Sequence, residues 1–590
     1  MQQRAIHLLF ALVLILILIP SIKGKYSGLG LTIDIFLISL GLLVLGYVAV
    51  FQYDILYRAG SYSNFEIILS GCGILLVLEI TRRTTGIVVP LVSLLFLAYS
   101  LLGQYCPEII AHKGFSLSRT VSSIFLHTEG VFGIALDVSA SFIFMFILLG
   151  AVLRASGTGE LFIGMASALF GHVRGGPAKI AIIASCFFGS ISGSAVANVA
   201  GIGTFTIPLM KRLGYSGTFA GAVEAAASSG GQLMPPIMGA AAFIMAQMLD
   251  VPYVTVAVAA AVPAILYYIS LFIGVDIEAQ KKNLRGLPRE ELPKIKDVFS
   301  HRWHLLISPL VLVYLLGVLQ FSPQVAAFYA IIVSVLASMM TLKTRINFWK
   351  IINAMEETAK DALGVAAACA CVGMILGVLM LTGLGLKLSG ILLTISGDNL
   401  IVMLILTMVT SIILGMGLPV TACYLILAVM VAPGLTSLGI SALAAHLFVL
   451  YFGVISNITP PFALAAYAAA AISGADPNRT GFTAFKLGCV SFTIPYIFVF
   501  WPGVILKDTL LMIIVACLVG IASIAMLAVA LGGYLKGGKV TLLARGLLLI
   551  ASILVIFPGM WTTIIGLLLG GMVFTKIFYK TGRKTLCSNT

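Results

Sequence analysis

The sequence predicts an all-α polytopic membrane protein built around an inverted repeat, and three observations predict it. Hydrophobic side chains make up 60% of the 590 residues, and Asp, Glu, Lys and Arg only 9%. A soluble globular chain carries roughly 25% charged residues; with so few, it could not cover its surface. The apolar runs are long and do not alternate, so the spans are helices and not barrel strands, because lipid offers the backbone no other hydrogen-bond partners. The chain also holds two Pro-Pro pairs, Pro235-Pro236 and Pro460-Pro461, 225 positions apart in matching contexts. A water-soluble enzyme, a disordered scaffold and a nucleic-acid binder are excluded. The net charge of +14 comes from short basic loops, the pattern of cytoplasmic loops in membrane proteins.

At about 20 residues per span, simple spans are predicted near 5–22, 29–50, 62–80, 86–103, 131–153, 254–275, 305–320, 325–341 and 362–383. Others lie near 484–503, 510–530, 541–557 and 559–575. Residues 5–19 follow Arg4 like a signal-peptide core, but no small-x-small site occurs at Ser21–Lys25, so a retained first helix is expected. The hydrophilic run Asp276–His304 has 29 residues with seven Lys or Arg and is placed in the cytoplasm. Counting outward puts Lys211, Arg212, Lys343, Arg345, Lys350, Arg479, Lys486, Lys536, Lys539 and the tail Lys576–Lys584 on that side, with Arg82, Arg83, Lys23 and Lys25. The count holds only if 178–210 and 400–433 each enter and leave on one face. They are read as re-entrant hairpins, the first from the cytoplasm and the second from outside, with a cytoplasmic C-terminus and an extracytoplasmic N-terminus.

This parity makes the repeat inverted. Segments 216–248 and 441–475 are read as broken helices, interrupted by Ser228–Met234 and by Ser456–Thr459 ahead of each Pro-Pro pair. Inverted repeats with discontinuous helices meeting at the midplane are the pattern of secondary transporters. Two amphipathic stretches, His112–His127 and Arg345–Asp361, are expected at opposite faces. The second sets Ile346, Trp349 and Ile352 among Lys350, Glu356, Glu357 and Lys360. Each is either a cap on the bundle or an arm joining a moving core to a fixed frame.

Polar breaks at membrane depth survive where they line a cavity or are covered by protein. The first hairpin tip offers Ser190, Ser192, Ser194 and Asn198, and the first helix break Ser228, Ser229, Gly231 and Gln232. The second tip offers Gly415, Gly417 and Thr421, and the second break Ser456, Asn457 and Thr459. Glycines let carbonyls approach an ion. Hydroxyl, amide and carbonyl oxygens are hard ligands, so Na+ sites are expected within this set, while half-helix N-termini suit an anion. The plain alternative is packing, since Gly189 and Gly193 form a G-x-x-x-G; four repeat-related breaks favour a site. No Lys or Arg lies within the breaks, so hydroxyls and helix termini are expected to hold an anionic substrate.

Of the deep ionisable residues, Asp137 reads as solvated near a helix start and His446 as interfacial. Glu224, one turn before Ser228, is harder to dismiss. A carboxylate this deep costs several kcal/mol to ionise alone, so a proton or a cation is expected on it; a hydrogen bond to a neighbouring backbone is the alternative. Asn457-Ile458-Thr459 matches a glycosylation sequon, which is discounted inside an apolar helix. The nine cysteines lack metal-site spacing; Cys369 and Cys371 give only C-x-C. No hydrolase, zincin or ATP-binding motif occurs. The chain is therefore not expected to be an enzyme, to need an organic cofactor or to hydrolyse ATP; an intramembrane lipid enzyme is the least favoured reading.

The residues Gly189–Asn198, Ile207–Arg212, Gly230–Ala246 and Ser456–Pro461, with Gly175–Lys179, resemble the membrane subunit of TRAP (tripartite ATP-independent periplasmic) transporters. The form Glu224–Pro236 is similar to the TAXI subgroup, whose small and large membrane subunits are fused. The resemblance covers roughly 85–505, with 1–84 resembling the small subunit and 506–590 adding helices of unassigned role. It implies an elevator-type permease, a monomeric subunit in a prokaryotic inner membrane. Such a permease takes up a carboxylate, such as glutamate or 2-oxoglutarate, from a TAXI-type extracytoplasmic binding protein. Glu224 departs from the family's more usual break, so the resemblance leaves Na+ and H+ both open as coupling ion. A binding-protein-independent anion exchanger with the same core is the alternative.

Overall fold

The computed structural model describes residues 1–21, 28–58, 60–535 and 538–587, without the side chains of 578 and 580–587. Lys23, Lys25 and Lys536 of the charge count, and residues 22–25 of the cleavage window, lie outside the described residues. Among the described residues, ten helices are long and apolar enough to cross a membrane. The one exception to helix among the described residues is a two-residue antiparallel pair, Tyr534–Leu535 with Gly538–Lys539.

Four long helices open the chain, Gln2–Leu18, Gly28–Val50, Asn64–Thr85 and Val88–Leu102, and the third is fixed by a cap and a buried ion pair. Ser63 accepts from the Glu66 amide and Glu66 reaches back to Ser63, a reciprocal cap. Arg83 pairs with Asp34 at 2.8 Å, both almost wholly buried. This group packs on the helices Ile134–Ala155 and Phe348–Thr382. Thr81 donates to the Ala367 carbonyl at 3.0 Å and Ser93 to the Cys371 carbonyl at 3.1 Å. Together they form a frame.

One element departs from the expected layout. The amphipathic arm and the span after it are a single 35-residue helix, Phe348–Thr382. At about 1.5 Å per residue it is roughly 52 Å long, well beyond a hydrocarbon core of about 30 Å, which is why it reads as two pieces. Its counterpart in the first half is only Leu117–Phe125, capped by Ser116, and a loop separates it from the helix starting at Ile134. The two arms are unequal in construction.

The second body contains the repeat. Gly176–Ser192 turns at Gly193 and returns through Ala195–Asn198 and Thr204–Arg212, packed back on itself. Leu400–Gly415 turns through Met416–Pro419 into Val420–Met430 in the same way. The first broken helix is Gly217–Gly230, a short turn Gly231–Leu233, then Ala240–Met248. The second is Ala442–Ile455, Ser456–Ile458, then Leu464–Ser473. Ser216 caps the first by accepting from the Phe219 amide. Ser441, 225 positions later, caps the second by accepting from the Ala444 amide. Both Pro-Pro peptide bonds are cis. The Leu464–Ser473 half-helix packs along Gly217–Gly230, so the repeats interlock. The C-terminal helix Leu510–Gly532 lies on Tyr253–Lys281, and Leu542–Ile556 and Met560–Cys587 follow beside it.

Candidate functional site

Both hairpin tips and both helix breaks converge on one place. Gly189 in the first hairpin faces Gly231 in the first break so closely that a β-carbon on Gly189 would stand 2.6 Å from the Gly231 α-carbon. Backbone approach of this kind needs glycine on both sides. In the second half Gly415 faces Ser456, whose hydroxyl donates to the Gly415 carbonyl at 3.0 Å. The two breaks then meet: Asn457 Nδ2 donates to Gln232 Oε1 at 3.1 Å. These residues stand 225 positions apart, so the contact joins equivalent points of the two repeats.

The carbonyls freed at the first break have dedicated donors, as helix ends require. Tyr267 and Tyr268 donate to the Ala226 and Ala227 carbonyls at 2.8 and 2.9 Å. Tyr253 donates to the Pro236 and Ile237 carbonyls at 2.9 and 2.6 Å. In the second half Tyr467 donates to the Pro461 carbonyl. The tyrosines were not legible in advance, because an aromatic residue in an apolar helix reads as core or lipid contact.

Between the hairpins, the breaks and the frame lies a cavity of about 650 Å³. Of the fifteen residues predicted for the site, Ser192, Ser194, Gln232, Gly417, Thr421 and Asn457 line it. The others pack behind it. Ser190, Ser229 and Thr459 return their hydroxyls to backbone carbonyls of Phe187, Ala225 and Ile455. Asn198 donates to the Ser185 carbonyl at 2.9 Å, and its side-chain oxygen is buried with no partner among the described residues. The Ser192 hydroxyl is also buried and unpartnered.

Glu224 is fully buried behind the first hairpin. Ser185 and Ser228 donate to Oε1 at 2.7 and 3.0 Å, and Thr206 donates to Oε2 at 2.5 Å. The partners are hydroxyls from both legs of the hairpin and from its own helix, not the neighbouring backbone. The carboxylate thus joins three segments. Asp137 is not merely solvated: it accepts from Arg4 Nε at 2.8 Å, tying the first helix to Ile134–Ala155. His446 is not interfacial: it is buried and shares a 2.8 Å hydrogen bond with the Tyr424 hydroxyl.

Sequence reasoning missed the ionisable groups of the cavity wall. Arg154 and Asp361 line it, contributed by the frame helices Ile134–Ala155 and Phe348–Thr382. The breaks contain no cation, but the cavity does. Arg154 ends its helix and reads as one more positive charge at a cytoplasmic terminus.

A family model described as "Tripartite ATP-independent periplasmic transporter, DctM component" matches residues 72–513. The chain is 26% identical over 326 residues to the sialic acid TRAP transporter large permease protein SiaM of Vibrio cholerae, covering 55% of this chain and 74% of that one. It is 24% identical over 380 residues to the 2,3-diketo-L-gulonate TRAP transporter large permease protein YiaN of Escherichia coli, covering 61% and 84%. A shorter match, 32% over 168 residues, covers 28% of this chain and 39% of the C4-dicarboxylate TRAP transporter large permease protein DctM of Pseudomonas aeruginosa. The chain belongs to the DctM-component family of tripartite ATP-independent periplasmic transporters, and is a multi-pass inner-membrane transport protein, not an enzyme.

Proposed function

We propose that this chain is the permease of a secondary importer of an organic acid, a carboxylate or dicarboxylate, driven by a cation gradient. The observation that carries the reading is the cavity lined at once by both hairpin tips and both breaks, with Gln232 and Asn457 bonded across it. A site shared by two inverted halves can be exposed to either side when one body moves against the other. We read the hairpins and broken helices as the mobile, elevator-type body, with the hairpins re-entrant from opposite faces. The helices Gln2–Leu18, Gly28–Val50, Asn64–Thr85, Val88–Leu102, Ile134–Ala155 and Phe348–Thr382 are its frame. The C-terminus is cytoplasmic and the N-terminus extracytoplasmic.

Permeases of this family work with an extracytoplasmic substrate-binding protein, and we assign this one a TAXI-type partner on the form of the break from Glu224 to Pro236. The relatives are named for sialic acid, 2,3-diketo-L-gulonate and C4-dicarboxylate, which supports an organic acid here. Glutamate and 2-oxoglutarate are the first substrates to try. Coupling is by Na+ or H+. The unpartnered oxygens of Asn198 and Ser192 fit a hard cation, and Glu224, held by three hydroxyls, fits a proton carrier. Uptake into proteoliposomes, with the binding protein added and a Na+ or H+ gradient imposed, tests the reading. Accumulation under one gradient and none without it is the result expected; equal uptake with no gradient would contradict it.

A further inference from the structure

Arg154 is the one basic side chain lining the cavity among the described residues, and Asp361 the one acidic one. Their pairing is loose. Arg154 reaches Asp361 Oδ2 at 3.4 Å and Glu357 Oε2 at 3.6 Å, both through Nη2. A strong guanidinium–carboxylate pair is a two-pronged contact at about 2.7–2.9 Å. Nε and Nη1 make no hydrogen bond among the described residues, so most of the five-donor fork is uncommitted. Both acids are at least half exposed, whereas three quarters of the Arg154 side chain is covered. The acids are the better hydrated partners.

Arg154 Nη1 and the first hairpin tip flank the same glycine. Gly150 lies one turn before Arg154 on the same helix face. A β-carbon built there would lie 3.6 Å from the Ile191 carbonyl oxygen, 3.9 Å from the Ser192 α-carbon and 4.0 Å from Arg154 Nη1. The guanidinium therefore sits beside the hairpin tip that presents the buried, unpartnered Ser192 hydroxyl.

We infer that Arg154 is a carboxylate-binding residue of the cavity, and that Asp361 is the internal carboxylate its substrate displaces and which reclaims Arg154 when the substrate leaves. This rests on the organic-acid reading above. It places one substrate contact on the frame and the rest on the hairpins and breaks, so an acid in the cavity bridges the two bodies. The internal acid keeps the cation paired when the cavity is empty and shifts the balance toward release when it is full.

The test is binding by the purified permease, followed by thermal shift with 2-oxoglutarate, glutamate and succinate, alongside proteoliposome uptake of the same three acids. Arg154→Gln is expected to weaken apparent carboxylate affinity at least tenfold. Arg154→Lys, which keeps the charge and loses the fork, should fall between it and the parent. Asp361→Asn is expected to tighten affinity several-fold, because the nearer of the two acids competing for Arg154 is gone. An ion pair that only holds the two helices together predicts that both charge removals act alike, and that outcome would overturn the inference. Unchanged affinity in Arg154→Gln would overturn it too. Should Arg154→Gln fail to give a monodisperse protein, Asp361→Asn decides alone: tighter binding supports the inference, equal or weaker binding refutes it. Arg154-dependent stabilisation without gradient-driven uptake would sink the importer reading and leave this one standing. A parent protein stabilised by none of the three acids would sink this one.

Discussion

In the first half of the repeat, Ser185 on the outgoing hairpin leg donates to Glu224 at 2.7 Å. In the second half the Ser411 hydroxyl, 226 positions later, is buried with no partner among the described residues, and the residue 225 positions after Glu224 is Val449. Asn198 reaches the Ser185 carbonyl at 2.9 Å; Cys423, 225 positions on, reaches the Ser411 carbonyl at 3.9 Å. The backbone plan is kept in both halves: the serine caps, the close approach of hairpin to break, and the breaks themselves. The charge is not. Lipid demands satisfied backbone groups from both halves, which explains the shared plan. A buried carboxylate with three donors is expensive to maintain, so its presence in one half alone points to a task that the other half does not share.

Removing the carboxylate is the harshest way to break this contrast. Glu224→Ala strands the buried Ser185 and Ser228 hydroxyls, at about 1–3 kcal/mol each, while Thr206 falls back on the Ile202 carbonyl; it is expected to lower the unfolding temperature markedly and abolish uptake. Glu224→Gln keeps the volume; uptake should fall and its pH dependence flatten, measured in proteoliposomes over a range of pH. An unchanged pH profile in that variant would remove the proton role.

Next comes the shared backbone plan. Gly189→Ala sets a β-carbon 2.6 Å from the Gly231 α-carbon and 2.8 Å from Asn198 Nδ2, an overpacking worth about 1–3 kcal/mol. Gly415→Ala meets the Ser456 hydroxyl at 2.5 Å and should cost a similar amount. A large difference in thermal stability between the two would mean that the halves are not built alike.

The bond across the repeats is a smaller effect. Gln232→Ala and Asn457→Ala should each destabilise, while the double variant costs less than their sum by about 1 kcal/mol. Strict additivity would show that the two breaks do not cooperate. The smallest contrast is the sharpest: Ser185→Ala should cost about 1 kcal/mol and Ser411→Ala almost nothing, because only the first hydroxyl has a partner to lose. Equal effects would mean that the second hydroxyl has a partner of its own.

The breaks, the hairpin turns and their 225-residue period were legible because glycine, proline and hydroxyl residues stand out sharply against apolar helix. Gln232, Asn457 and the tip serines followed directly from that punctuation. Arg154 and Asp361 did not, since each lies in an apolar helix away from the glycine and proline breaks and its partner is about 200 residues away in sequence. The Phe348–Thr382 helix was divided because nothing local shows that a polar turn and an apolar run share one axis. Asp137 and His446 read as wet because their partners, Arg4 and Tyr424, become neighbours only on folding. Periodicity exposes local breaks; pairings made by tertiary folding leave no local trace.

The re-entrant course of the two hairpins is the claim on which the transport account depends, and side-specific thiol labelling tests it most directly. Single cysteines at Arg174 and Arg212 flank the first hairpin, and at Asp398 and Ser437 the second; all four positions are exposed. With the native cysteines replaced, a membrane-impermeant maleimide should reach 174 and 212 only from the cytoplasmic side, and 398 and 437 only from outside. Labelling of the two ends of either hairpin from opposite sides would contradict the account.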